Sequence, residues 1–88
     1  MTEEPISLRR KRILHRSRYR GCLECDLLLG RFVQRYIDRF GDVELDQLEA
    51  LLEEKDQDIL AWYTGRERVP ERHDNRIFLL LRRFEIPT

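Results

Sequence analysis

Apolar residues along this chain return at steps of three and four, and nowhere settle into the two-residue alternation of a half-buried strand. The clearest run is Leu29, Phe32, Val33, Tyr36, Ile37 and Phe40. It puts one buried face on a helix predicted from about Cys22 to Phe40, with Gly41 as its C-terminal stop. A sparser stripe, Leu8, Ile13 and Leu14, marks a first helix that Ser7 can cap and that ends near Ser17. So narrow a stripe leaves a wide basic face free. Leu45, Leu48, Leu51 and Leu52 define a third helix. Asp56 is placed to cap a short fourth one bearing Ile59, Leu60, Trp62 and Tyr63, which Gly65 ends. Pro70 precedes a last helix with Ile77, Leu80, Leu81 and Phe84 on one face, and Pro87 limits its continuation. The connections are short, which favours antiparallel neighbours. The expected fold class is all-α: a small compact antiparallel bundle of about five helices. Its core should join Leu29, Phe32, Val33, Tyr36, Ile37, Leu48, Leu52, Leu60, Trp62, Ile77, Leu80, Leu81 and Phe84. Trp62 is expected to anchor this core rather than to meet a partner.

Eighty-eight residues make one domain, 1–88, with 1–6 expected to be flexible. A chain of this size buries little more than ~60% of its unfolded surface, which leaves small room for a deep catalytic cleft. Composition therefore points to a binding module. The chain has 17 basic and 17 acidic residues and no net charge. All the basic residues but Lys11 and Lys55 are arginine, whose planar fork suits carboxylates, phosphates and carbonyls. A balanced, arginine-rich surface reads as a protein-binding face; a nucleic-acid-binding one is usually net basic. The charge is segregated. Arg9, Arg10, Lys11, Arg12, Arg16, Arg18 and Arg20 lie at the start, and Glu44, Asp46, Glu49, Glu53, Glu54, Asp56 and Asp58 in the middle. Both can be solvated helix faces, or the basic start can meet an acidic surface on a partner. No apolar run nears the ~20 residues of a membrane span. The N-terminus has no apolar signal core, and Glu3 and Glu4 are out of keeping with a transit peptide. The expectation is a mature, soluble, cytoplasmic protein with no membrane partner.

Candidate chemistry is thin. Cys22 and Cys25 form a lone C-x-x-C without the βαβ setting of a thioredoxin-like motif or the four ligands of a structural zinc. They are read as small apolar fillers. His15 and His73 stand in charged surroundings and are expected at the surface. The four glycines are scattered, so there is no phosphate-binding loop. No catalytic residue, no metal site and no cofactor of the chain's own is expected.

The remaining feature is Arg20-Gly21-x-x-Glu24, with Asp26 behind it, at a corner between the first two helices. Local chemistry offers one reading. With Gly21 as N-cap, Glu24 stands at the third helical position, where its carboxylate can reach back to the cap amide, and Arg20 is solvated. The other reading is a docking corner.

The surroundings of this motif resemble the SdhE family of FAD assembly factors. A basic helix with Arg12 and Arg16 precedes Arg20-Gly21. Glu24-Cys25-Asp26-Leu27-Leu28-Leu29-Gly30-Arg31-Phe32 is similar to the family's continuation, particularly in its alphaproteobacterial members. Leu51-Leu52, Asp56, Asp58, Trp62, Gly65 and Pro70 follow the second family block in order and spacing. The resemblance runs from about Arg9 to Phe84. Cys22 and Cys25 fall at variable positions of the pattern, and Tyr19 stands where several members have arginine or histidine.

The resemblance implies a helical bundle that binds the flavoprotein subunit of succinate dehydrogenase, or of fumarate reductase, and promotes covalent attachment of FAD to a histidine there. FAD is then carried by the client. The resemblance assigns partner binding to Arg20, Gly21 and Glu24, with Asp26, Arg16 and Arg12 beside them, in a protein expected to be monomeric and not itself an enzyme. Two other classes compete. One is a small helical nucleic-acid-binding module using the basic first helix; the other is a metal or redox protein using Cys22 and Cys25.

Overall fold

Five α-helices follow one another in the computed structural model, which describes residues 5–85. They are α1 (Ile6–Arg18), α2 (Leu23–Tyr36), α3 (Asp42–Leu52), α4 (Asp56–Tyr63) and α5 (Arg76–Arg83). Short 3-10 turns at Ile37–Arg39 and Glu71–His73 lie between them, and no strand occurs among the described residues. The chain is the expected small all-α bundle. Met1 to Glu4 and Pro87, for which flexibility and a helix stop were expected, lie outside the described residues. Pro5 and Ile6 are already committed to the start of α1.

Several helix boundaries differ from the sequence reading, each for a local reason. Pro5 is the N-cap of α1, so Ser7 lies inside the first turn. Proline suits such a place, since its fixed φ of −58° and missing N–H cost a helix start little. α2 ends at Tyr36 and tightens into a 3-10 turn. Arg10 donates from Nε to the Ile37 carbonyl at 3.2 Å and from Nη2 to the Phe40 carbonyl at 3.0 Å, satisfying acceptors that a helix end leaves open. Gly41 does not stop α2. It is the N-cap of α3, in an extended conformation, and Glu44 Oε1 accepts its amide hydrogen at 2.8 Å. Lys55 rather than Asp56 caps α4, which leaves Asp56 in the first turn. Gly65 does end α4, at φ +80°. Asn75 caps α5 by accepting from the Phe78 amide at 3.2 Å.

Helix directions follow from paired positions. Arg10 reaches residues 37–40, while Arg18 and Ser17 back onto Gly30, so α1 and α2 run antiparallel. A Cβ on Gly30 would meet Arg18 Cγ at 3.3 Å, so glycine allows that close approach. α1 and α3 instead run parallel. Arg9 pairs with Asp46, Arg12 with Glu49 and Arg16 with Glu53, all at a constant offset of 37 residues. An offset that stays constant along both helices is possible only when they point the same way. The antiparallel expectation therefore fails for this pair.

The core holds most of the residues the apolar periodicity selected. Phe32, Val33, Leu48, Leu52, Trp62, Ile77, Leu81 and Phe84 are buried; Tyr36, Leu60 and Leu80 pack half-buried at its edge. Ile13 is the one fully buried aliphatic residue that α1 contributes, while Leu8 is 54% exposed and leaves the stripe. Phe32, Tyr36, Phe40 and Phe84 form one aromatic cluster, and the Tyr63 hydroxyl donates to the Phe84 carbonyl at 2.5 Å, pinning the end of α5. His73 is buried, not at the surface as expected. It packs on Trp62 at 5.5 Å, and its Nε2 lies 3.2 Å from Glu54 Oε2.

Candidate functional site

The corner between α1 and α2 turns at Gly21, whose φ of +83° an L side chain rarely adopts. Nothing lies within 4 Å of where its Cβ would stand, so the glycine opens onto solvent. The N-cap of α2 is Cys22, not Gly21. Glu24 therefore sits at the second helical position, and the carboxylate that reaches back over the corner is Asp26. Its Oδ1 accepts the Arg20 amide hydrogen at 2.8 Å. Glu24 is exposed and has no hydrogen-bond or ion-pair partner among the described residues. The chain contains a direct internal control. Gly41-x-x-Glu44 has the same spacing, and there the glutamate does cap. The two glycines differ in backbone: Gly41 is extended, whereas Gly21 is left-handed.

Arg20 is not the solvated residue of the capping reading. Its side chain is only 11% exposed, and each of its three guanidinium nitrogens donates a hydrogen bond. Nε donates to Asp56 Oδ1 at 2.5 Å, Nη1 to the Leu52 carbonyl at 2.9 Å and Nη2 to the Glu54 carbonyl at 2.8 Å. α3 has no basic residue in its last turn, so Arg20 supplies the cation that its C-terminal carbonyls favour. The same guanidinium clamps the first turn of α4 through Asp56. Beside it lies an open groove of about 580 Å³, lined by Arg16, Tyr19, Arg20, Glu53, Lys55 and Asp56.

Arg16 and Arg12 stand about one and two turns back from Arg20, on α1, and reach the C-cap and the last turns of α3. Arg12 Nη1 lies 3.0 Å from Glu49 Oε2, and Arg16 Nη2 lies 3.1 Å from Glu53 Oε1. Arg9 adds a bond from Nε to Glu49 Oε1 at 2.6 Å, besides its pairing with Asp46. The basic face of α1 is thus matched by acidic α3, where the sequence left it free. Burial pushes the Glu49 carboxyl up, but hydrogen bonds from Arg12 and Arg9 outweigh that and hold it below the usual carboxylate range. The hydrogen bond from Arg72, ahead of the contact with His73, holds Glu54 down likewise.

Sequence reasoning missed Glu49, Glu53 and Glu54 as fixed members of this arrangement, and gave Asp56 only a capping role. A signal was present: Arg9, Arg12 and Arg16 step by three and four, as do Asp46, Glu49 and Glu53. The two cysteines also part company. Cys25 is fully buried and its Sγ donates weakly to the Asp56 carbonyl at 3.6 Å; Cys22 is half-buried. Burial, then a hydrogen bond with Cys22, pushes the Cys25 thiol up to about 12. No cluster of three or more His, Cys, Asp or Glu residues suited to a metal occurs among the described residues. Nor is any helix among them long and apolar enough to cross a membrane.

Comparison with known proteins gives this corner its context. Residues 11–85 match the model of the family described as flavinator of succinate dehydrogenase. A mitochondrial succinate dehydrogenase assembly factor 2 of Debaryomyces hansenii is 49% identical over 63 residues, 72% of this chain and 44% of that protein. The corresponding protein of Saccharomyces cerevisiae is 43% identical over 63 residues, 72% of this chain and 39% of its own length. Factor 2-B of Drosophila ananassae is 38% identical over 81 residues, 90% of this chain and half of the fly protein. The chain thus spans about half the length, or less, of these curated relatives. It belongs to the flavinator family.

Proposed function

We propose that this member of the flavinator family is an assembly factor that binds the flavoprotein subunit of succinate dehydrogenase and promotes covalent attachment of FAD to it. The observation that carries the reading is the Gly21–Glu24 corner, set in a chain that matches the family from residue 11 to 85. Gly21 leaves the surface open to close approach, and Glu24 presents a carboxylate that the fold does not use.

Roles divide accordingly. Glu24 is the contact: its unpaired carboxylate suits a basic group or an ordered water of the client. Gly21 admits the client's surface. Arg20 is a positioning residue. By tying the α1–α2 corner to the ends of α3 and α4, it holds Gly21 and Glu24 in place. Asp26 fixes the corner's backbone. Arg12 and Arg16 keep α1 aligned on α3, and Arg16 also borders the open groove. FAD belongs to the client and supplies the chemistry of attachment. This chain contributes positioning, holding the flavoprotein where its own histidine and the flavin meet with water kept out, without a nucleophile of its own.

The finer parts of the reading are fumarate reductase as a further client, a monomeric single-domain chain and a cytoplasmic location. In the last, this chain would differ from the relatives named as mitochondrial. Nucleic-acid binding is not favoured, because the arginines it needs at Arg9, Arg12 and Arg16 already hold carboxylates of α3.

The test uses the chain as bait against the client flavoprotein subunit expressed with and without it. Covalent flavin is read by fluorescence in a denaturing gel. The reading expects the subunit to be retained and its covalent flavin to rise with the chain present. A subunit that is neither retained nor flavinylated in response would overturn it.

A further inference from the structure

The two cysteines bracket the proposed contact residue at the start of α2. Cys22 is the N-cap of α2 and is half-buried; Cys25 lies in the first turn and is fully buried. Residues three apart at a helix start have Cα atoms about 5–6 Å apart, inside the span a disulfide bridges. Cys22 is in extended backbone at φ −124°, ψ 119°, outside the helix proper, and packs partly buried against the core. The residues between them are Leu23, 74% exposed, and Glu24.

We propose that Cys22 and Cys25 form a reversible intramolecular disulfide, making the first turn of α2 a redox-sensitive element. The exchange balances with a low-molecular-weight disulfide such as oxidised glutathione. The accessible Cys22, as thiolate, attacks the disulfide, forms a mixed disulfide and releases one glutathione thiolate. Cys25 then loses its proton and displaces the second glutathione. The protein dithiol is oxidised by two electrons and one disulfide is reduced to two thiols. Closure also removes the Cys25 S–H that reaches the Asp56 carbonyl, so it loosens one tie between the corner and α4. The consequence for Glu24 rests on the function proposed above; the disulfide itself does not.

The experiment equilibrates the full chain with graded ratios of oxidised to reduced glutathione, quenches with an alkylating agent and weighs the products. The expected result is joint loss of both thiols in one transition, with no glutathione retained and no covalent dimer, and recovery of both on reduction. Cys25→Ser should instead retain one glutathione on Cys22, which reports that Cys22 is reachable. Two outcomes overturn the proposal: wild-type chain that keeps glutathione on Cys22 with Cys25 still free, or wild-type chain that stays fully alkylatable in the same mixtures. A cystine-closed chain that flavinylates the client as well as the reduced one would leave the disulfide standing and remove its consequence for Glu24.

Discussion

Arg20 Nε meets Asp56 Oδ1 at 2.5 Å across 36 residues of sequence, and this pair joins the α1–α2 corner to the start of α4. The remaining nitrogens of the same guanidinium close the C-terminal end of α3. A motif that reads as a docking signature is thus divided between a buried clamp, Arg20, and an exposed carboxylate, Glu24.

Arg20→Ala should therefore act first on stability. It leaves a largely buried carboxylate and two carbonyls without their donor, at a cost of about 3 kcal/mol. Arg20→Lys keeps the charge but not the fork, and should cost roughly 1–2 kcal/mol. Urea unfolding of both variants checks the order. Equal stability of Arg20→Ala and the parent chain would show that the clamp contributes nothing to the fold.

Trp62 is 6% exposed, set against His73 and edge-on to Phe78. Trp62→Ala should cost about 3–5 kcal/mol, a large share of the stability of so small a domain. A thermal melt reads this directly. An unchanged midpoint would place Trp62 outside the core.

The helices were legible because burial writes itself as periodicity. Phe32, Val33, Ile77 and Leu81 could be assigned to the core from spacing alone. The fate of the charges was not, because Arg12 beside solvent and Arg12 beside Glu49 have the same local sequence. Only the matched steps of Arg9, Arg12, Arg16 and Asp46, Glu49, Glu53 hinted at the parallel ladder. His73 gave no hint at all, since its neighbours Arg72 and Asp74 are exposed and burial comes from Trp62 on another element. At the corner, Gly-x-x-Glu was ambiguous because the capping box depends on glycine's backbone conformation, which the identical spacing at Gly41 and Gly21 does not reveal.

Glu49 sets an acid limit on the ladder. Its folded pKa is lowered by Arg12 and Arg9 against the opposing effect of burial. Its stabilisation is thus fully present above the unfolded value near ~4.3 and is lost as pH falls through the lower folded value. Melting temperature should drop with acidification in that window, and Glu49→Gln should flatten that part of the profile while lowering stability at neutral pH. An acid limb unchanged in Glu49→Gln would assign the effect to other carboxylates.

Gly21→Arg meets open space but a left-handed backbone. The strain should cost about 1–2 kcal/mol and leave helical circular dichroism near normal. Client flavinylation should be abolished, because the side chain projects from the surface proposed to meet the client. A folded Gly21→Arg chain that still retains the client would mean that the corner is not the docking face.

The central claim is that Glu24 serves the client and not the helix, and Glu24→Ala tests it most directly. Thermal stability and covalent flavin in the client are measured on the same protein. The account predicts a melting temperature within error of the parent and a strong loss of covalent flavin. A drop in stability of roughly 0.5–2 kcal/mol, as for a lost cap, with full flavinylation by the folded chain, would contradict it.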